Sequence, residues 1–170
     1  LRAISFTKKY LEVASELNVD AVLIIPGYVH VPWEKSSPVI PYLKVWDTSR
    51  KSIEELLPVA EKLNVIMAIE NVWNMFLYSP REMKEFIDSF SSEYVGSYFD
   101  PANVRIFGYP EHWIQILGKR IKKVHAKNYK TEDCGGTLHG FGDDIDYGDV
   151  DWKAVVENLK AVGYLSLIHI

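Results

Sequence analysis

Val65-Ile66-Met67-Ala68-Ile69-Glu70-Asn71 runs an apolar stretch straight into a carboxylate and an amide. An uninterrupted apolar run of this length, following a helix-like segment, is the pattern of a strand buried on both faces of a parallel sheet. A carboxylate at its end is costly to desolvate unless it is paired or binds a metal. In α/β proteins the carboxyl ends of the strands are where sites are built. The pattern recurs: Tyr98-Phe99 leads into Asp100, and Val124 leads into His125. Glu70 to Asp100 is 30 positions and Asp100 to His125 is 25, close to the roughly 30 of one βαβ step. A Glu, an Asp and a His are therefore expected on successive strand ends, facing one mouth.

Upstream of this stretch, residues 48–63 read as a helix that Pro58 should kink or restart. Residues 21–25 read as a strand stopped by Pro26-Gly27, and residues 4–17 as an amphipathic helix with Ser5 near its start and Leu11, Ala14 and Leu17 at helical spacing. Leu63-Asn64-Val65 repeats Leu17-Asn18-Val19, in each case helix end, turn and strand start. Between them, residues 28–47 are rich in Pro and aromatics and read as a long loop at a strand's carboxyl end. His30, Trp33, Tyr42 and Trp46 there either form an apolar wall over a ligand or pack against neighbouring loops.

Downstream, Ser79-Pro80-Arg81-Glu82 has the cap, the first-turn Pro and the Glu of a helix start, and that helix should run to about Phe90. A strand over 95–99, a short helix over 110–117 closed by Gly118, and a strand over 121–126 follow. Residues 131–148 are rich in Gly and Asp, with Asp143, Asp144 and Asp146, but lack the ligand spacing of an EF-hand, so they read as a solvated active-site loop. Asp151 should cap a helix over 152–162, and 165–170 is apolar enough for a last strand.

Strict alternation of helix and strand means a parallel sheet with helices outside. No Gly-rich turn follows any strand, which argues against a dinucleotide or P-loop site. Polar residues at several consecutive strand ends suit a (β/α)8 TIM barrel better than an open doubly wound sheet. A complete barrel takes about 250 residues, so the 170 present, opening on a helix, are expected to form a single domain that is an incomplete barrel.

The composition, 48% hydrophobic and 25% charged, is that of an ordinary soluble domain. A net charge of −4 disfavours a nucleic-acid partner, which would need a basic face. No apolar run approaches the roughly 20 residues of a membrane span, and no signal-peptide pattern opens the chain. The single Cys134 excludes an intrachain disulfide and fits a reducing, cytoplasmic setting; among Asp and Gly in a loop it reads as a bystander.

Glu70, Asp100 and His125 together form a mixed oxygen and nitrogen set suited to Mn²⁺, Mg²⁺, Co²⁺ or Zn²⁺. Each alone has a plainer explanation: a salt bridge to a strand-end Lys for Glu70, a turn start before Pro101 for Asp100, a satisfied core histidine for His125. Their recurrence at βα spacing favours the metal. Asn71, Asn103, Lys127 and Asn128 are polar neighbours placed to bind substrate hydroxyls or to orient the ligands, and Trp33 and Trp46 are expected beside the substrate.

Ile69-Glu70-Asn71, Tyr98-Phe99-Asp100-Pro101-Ala102-Asn103, Lys123-Val124-His125-Ala126-Lys127-Asn128 and Gly148-Asp149-Val150-Asp151-Trp152 resemble the xylose-isomerase-like TIM barrels. The match is best with the sugar phosphate isomerase/epimerase group, which includes the D-tagatose and D-psicose 3-epimerases. It extends over residues 1–164 and looks like the last five-eighths of such a barrel, with the first three strands absent. The resemblance implies one divalent ion held by Glu70, Asp100, His125 and a second Glu from the last strand. Leu165-Ser166-Leu167-Ile168-His169-Ile170 offers no acid there and resembles translated sequencing adapter. Asn128 stands where the family usually has Asp, and Ala102-Asn103 where it commonly has Gly-Asn.

The resemblance further implies a small-molecule sugar or sugar phosphate as substrate, epimerised or isomerised through a cis-enediolate with Glu70 moving the proton on one face, and a homo-oligomer as a candidate assembly. The alternatives are an inositol-ketone dehydratase of the same fold or a catalytically inactive barrel fragment. An apurinic endonuclease is disfavoured, because its metal cluster needs many more ligands and His30, His112, His139 and His169 lie off the ligand strands. Without the second Glu, the 170-residue chain itself is expected to be inactive.

Overall fold

Two asparagines set the helix-to-strand joints at the start of the chain. In the computed structural model, which describes residues 2–131, 137–142 and 144–165, helix α1 (Arg2–Glu16) ends in a turn where Asn18 has φ 56° and the Val19 N–H donates to Ala14 O at 2.8 Å. Helix α2 (Tyr42–Leu63) ends the same way, with Asn64 at φ 55° and the Val65 N–H donating to Ala60 O at 3.0 Å. Asn tolerates the left-handed region better than most side chains, and the bond satisfies a helix-end carbonyl. The repeated Leu-Asn-Val is thus a repeated structural joint.

Each joint delivers the chain into a strand. β1 (Ala21–Ile24), β2 (Ile66–Glu70), β3 (Val95–Phe99) and β4 (Ile121–Val124) form one parallel sheet in the order β1-β2-β3-β4. Sequential strands are spatial neighbours throughout. A doubly wound sheet would reverse direction at a switch point; this order is that of one continuous barrel wall. Met67, Ala68 and Ile69 in β2 are all fully buried, so both faces of that strand are covered.

The covering helices are amphipathic. α2 turns Val45, Ile53, Leu56 and Ala60 inward. α3 (Pro80–Asp88) buries Met83, Phe86 and Ile87 and opens with a complete capping box between Ser79 and Glu82. Next come the short α4 (Pro101–Arg105), α5 (Pro110–Leu117) and α6 (Trp152–Ala161), the last capped by the Asp151 carboxylate, which accepts from the Ala154 N–H.

Several boundaries differ from the sequence reading. α2 begins at Tyr42, six residues before the expected start at 48, so the long loop is shorter and Tyr42 and Trp46 are helical. Tyr42, Val45, Trp46 and Ser49 share one face there, and packing of that face extends the helix back to Pro41. Pro58 does not interrupt α2; it forfeits one hydrogen bond, while buried Leu56 and Ala60 hold the two halves in line. α4 was not foreseen, although Asp100-Pro101 carries both a cap and a first-turn proline. β4 stops at Val124, but the His125 N–H still donates to Phe99 O at 2.8 Å and continues the ladder.

The expectations for Cys134, for Asp143 and for a last strand over 165–170 fall, Leu165 apart, outside the described residues. Among those described, no helix is long and apolar enough to cross a membrane.

Candidate metal centre

Glu70 is the last residue of β2, Asp100 follows β3 directly and His125 follows β4 directly. Parallel pairing, with a register shift between β3 and β4 at Ser97/Tyr98, brings these three carboxyl ends side by side. Glu70 Oε1 lies 2.8 Å from His125 Nδ1, and Asp100 Oδ2 lies 3.5 Å from the same nitrogen. One donor atom from each residue falls within 4.8 Å of the others. The sequence spacing and the geometry agree on this trio.

Asp100 is fully buried and held from several sides. The Asn71 side-chain amide pairs with its backbone, donating Nδ2 to Asp100 O at 2.8 Å and accepting the Asp100 N–H at 2.9 Å. Asn103 donates its backbone N–H to Oδ1 at 2.9 Å and Nδ2 to Oδ2 at 2.8 Å. Trp73 Nε1 in turn donates to Asn103 O at 2.9 Å. Lys127 Nζ sits 2.7 Å from Asp100 Oδ2 and 4.8 Å from the centroid of the Phe141 ring.

Burial pushes the Asp100 carboxyl up to about 6, with Lys127 and the Asn103 N–H pulling it back and Glu70 adding to the rise. His125 is also raised, first by its hydrogen bond to Glu70, against the opposing effect of its burial, with Asp100 reinforcing the rise. The two shifts have different first causes, burial for Asp100 and the Glu70 carboxylate for His125, and both keep a proton at the mouth. Two carboxylate oxygens and an imidazole nitrogen converging there are a donor set that fits a divalent ion.

The other expected site residues divide. Asn71 and Asn103, expected among the substrate contacts, both use their amides on Asp100, and Asn103 Nδ2 also donates to the Asn71 backbone carbonyl at 2.9 Å. Asn128 accepts the Tyr129 and Val150 N–H groups on Oδ1 and donates Nδ2 to Ile145 O, so it fastens the backbone around residues 145–150. Lys127 and Trp33 line a cleft of about 320 Å³ beside the trio. Trp46 does not; its ring packs edge-on against Phe86 at 5.0 Å and Phe76 at 6.3 Å under α2. Tyr42 likewise sits against Phe76 and donates its hydroxyl to Glu82.

The sequence reading missed Trp73, Asn74 and Phe141, which also line the cleft. Trp73 and Asn74 follow Glu70 closely enough to have been legible as strand-end residues. Phe141 reaches the cleft through the bridge between Tyr129 and Phe141, a long-range pairing without a local signal.

The family model described as Xylose isomerase-like TIM barrel matches residues 1–170. The chain belongs to that family. Among solved xylose isomerase-like barrels and their kin, a D-tagatose 3-epimerase-like protein is 23% identical with a TM-score of 0.77, over 97% of this chain and 60% of its own. The IOLI protein with a bound zinc atom is 21% identical with a TM-score of 0.78, over 97% of this chain and 58% of its own. D-psicose 3-epimerase with D-tagatose, from Clostridium cellulolyticum H10, is 18% identical with a TM-score of 0.78, over 98% and 55%. At these identities the likeness is one of fold, and the chain spans about three-fifths or less of each of these relatives. No curated protein matches it in sequence.

Proposed function

We propose that this chain is the metal-binding part of a divalent-metal-dependent sugar isomerase or epimerase. The observation that carries the reading is the convergence of Glu70, Asp100 and His125 within 4.8 Å at one strand-end mouth, beside an aromatic cleft. Structural neighbours described as D-tagatose, D-psicose and L-ribulose 3-epimerases support it.

Held by Glu70, Asp100 and His125, a divalent ion would supply Lewis acidity that lowers the pKa of a sugar C–H beside its oxygens. Glu70 would be the group to take or return that proton on one face. Asp100 holds its ligand geometry through Asn71 and Asn103. His125 contributes Nδ1. Trp33, Trp73 and Phe141 keep water from the reacting face. Proton delivery to the opposite face falls to a residue that this chain does not place at the mouth among its described residues. The whole enzyme's activity is therefore assigned to the complete barrel.

Mn²⁺ should raise the melting temperature of the protein by binding its folded form, and Asp100→Ala should abolish that rise; an unchanged shift in the variant removes the site. In the full-length protein, NMR in D₂O should show exchange of the ketose C3 hydrogen, lost in Glu70→Gln with the fold intact. Dehydration of an inositol ketone without such exchange would favour the dehydratase reading instead.

A further inference from the structure

A second hollow opens at the opposite end of the sheet from the trio, where β3 and β4 begin. We propose that it is an anion site for a phosphorylated small molecule, held by Lys119, Lys122 and the Ser91 hydroxyl.

Lys119-Arg120-Ile121-Lys122-Lys123 puts four cations into five positions as the chain enters β4. Two of the four are already engaged. Arg120 donates Nε and Nη2 to the Asp88 carboxylate and Nη1 to Leu117 O, so it serves the ends of α3 and α5. Lys123 pairs with Asp20 at 2.7 Å. Lys119 and Lys122 have no such partner among the described residues, yet both line one hollow of about 500 Å³ between the end of α3 and the start of β4. That volume suits a small ligand.

Lys122 is built into the wall. Its stem lies over Gly96 of β3, where a Cβ would fall on Lys122 Cγ and 2.9 Å from Arg120 O. Glycine inside a strand weakens it and marks close approach by another group; here that group is a half-buried lysine stem. Ser91 adds a hydroxyl from a backbone that favours glycine. It follows α3 with φ 49°, and its N–H donates to Asp88 O at 3.2 Å. Gly or Asn usually fills such a position, and a side chain retained there despite the strain points to a use for it. Ser92, its neighbour on the wall, is engaged: Oγ donates to Glu61 and accepts the Tyr94 N–H.

Two ammonium groups and a hydroxyl are donors that phosphate oxygens take. Glu93, also on the wall, opposes an anion, whereas Asp88 is neutralised by Arg120. Two unpaired cations against one unpaired carboxylate leave this wall positive, in a chain whose net charge is −4.

The test titrates the chelator-treated 170-residue protein, in which no ion at the trio can take the anion, with inorganic phosphate at constant ionic strength. Binding is followed by calorimetry and by ³¹P line broadening. Lys119→Gln and Lys122→Gln should each weaken phosphate about tenfold, and Glu93→Gln should tighten it. Ser91→Gly should raise the melting temperature of the free protein, by relieving the left-handed strain, while weakening phosphate about threefold. A residue with a role in the turn alone would not separate those two effects. Glycerol 3-phosphate should bind at least as tightly as inorganic phosphate, and malonate more weakly. Malonate binding as tightly as phosphate overturns the assignment to phosphate. No binding, or an affinity unchanged in both lysine variants, overturns the site and leaves the metal-centre reading standing.

Discussion

Asp100 concentrates the physics of the site. A carboxylate with no exposure is held by Lys127, by His125 at 3.5 Å, and by Asn71 and Asn103, which fix its backbone and both its oxygens. Its folded pKa of about 6 lies above the ordinary value of 3.8. Between those values the folded protein holds a proton that the unfolded form releases, so this group's contribution to stability falls as pH rises through the window. His125, also raised, adds in the same direction: its contribution is complete below its ordinary pKa and is lost as pH passes the folded one. For the chelator-treated protein, the stability difference between wild type and Asp100→Asn should therefore shift against wild type from about pH 4 to pH 6. Over the same range the Mn²⁺-induced rise in melting temperature should grow, because the ion competes with fewer protons. A pH-independent difference in urea titrations would contradict the burial-driven shift.

Above single residues, the segment behind His125 shows how an element is fastened to a site. Asn128 collects the N–H groups of Tyr129 and Val150 and reaches Ile145 O. The approach requires Gly148, which has φ 154° and whose Cβ, were there one, would fall on Asn128 Oδ1 and 2.7 Å from Tyr129 N. An Asp at position 128 could accept these bonds but, ionised, could not donate to Ile145 O. Gly148→Ala should cost about 1–3 kcal/mol in urea unfolding by overpacking this contact. Gly108→Ala, where a Cβ meets nothing within 4 Å, should stay within about 0.5 kcal/mol of wild type. Equal effects at the two positions would show that the Asn128 fastening does not matter.

At the scale of the whole molecule, β1 is hydrogen-bonded on one side only among the described residues. Phe6 and Leu17 on and after α1, and Val39 and Leu43 at the start of α2, are each more than two-thirds exposed. An unpaired parallel edge beside exposed apolar side chains is a template for another copy. The 170-residue protein should therefore self-associate, its weight-average sedimentation coefficient rising between about 1 and 100 µM, a range set by the micromolar concentrations at which such edges aggregate. A single monomeric species with a cooperative calorimetric transition across that range would show that these surfaces are tolerated.

The sequence alone determined the strand ending at Glu70, the alternation of elements and the candidate trio Glu70, Asp100 and His125, because these are written locally. Apolar runs end on charges, the βα step is nearly constant, and Leu-Asn-Val marks a helix end wherever it occurs. The capping box at Ser79 was equally local. The register that sets Glu70 beside His125, and the strand order that excludes a doubly wound sheet, required the tertiary structure, since strand pairing joins residues far apart in the sequence. Trp46 shows the limit most plainly. Its aromatic neighbourhood in sequence resembled a binding loop, yet Phe76 and Phe86, thirty and forty positions away, draw it under a helix that local signals would have begun later. Asn71 and Asn103 carried the right chemistry for either sugar hydroxyls or a ligand carboxylate. In the fold their amides are used on Asp100, whose buried position leaves its polar atoms to be satisfied from within.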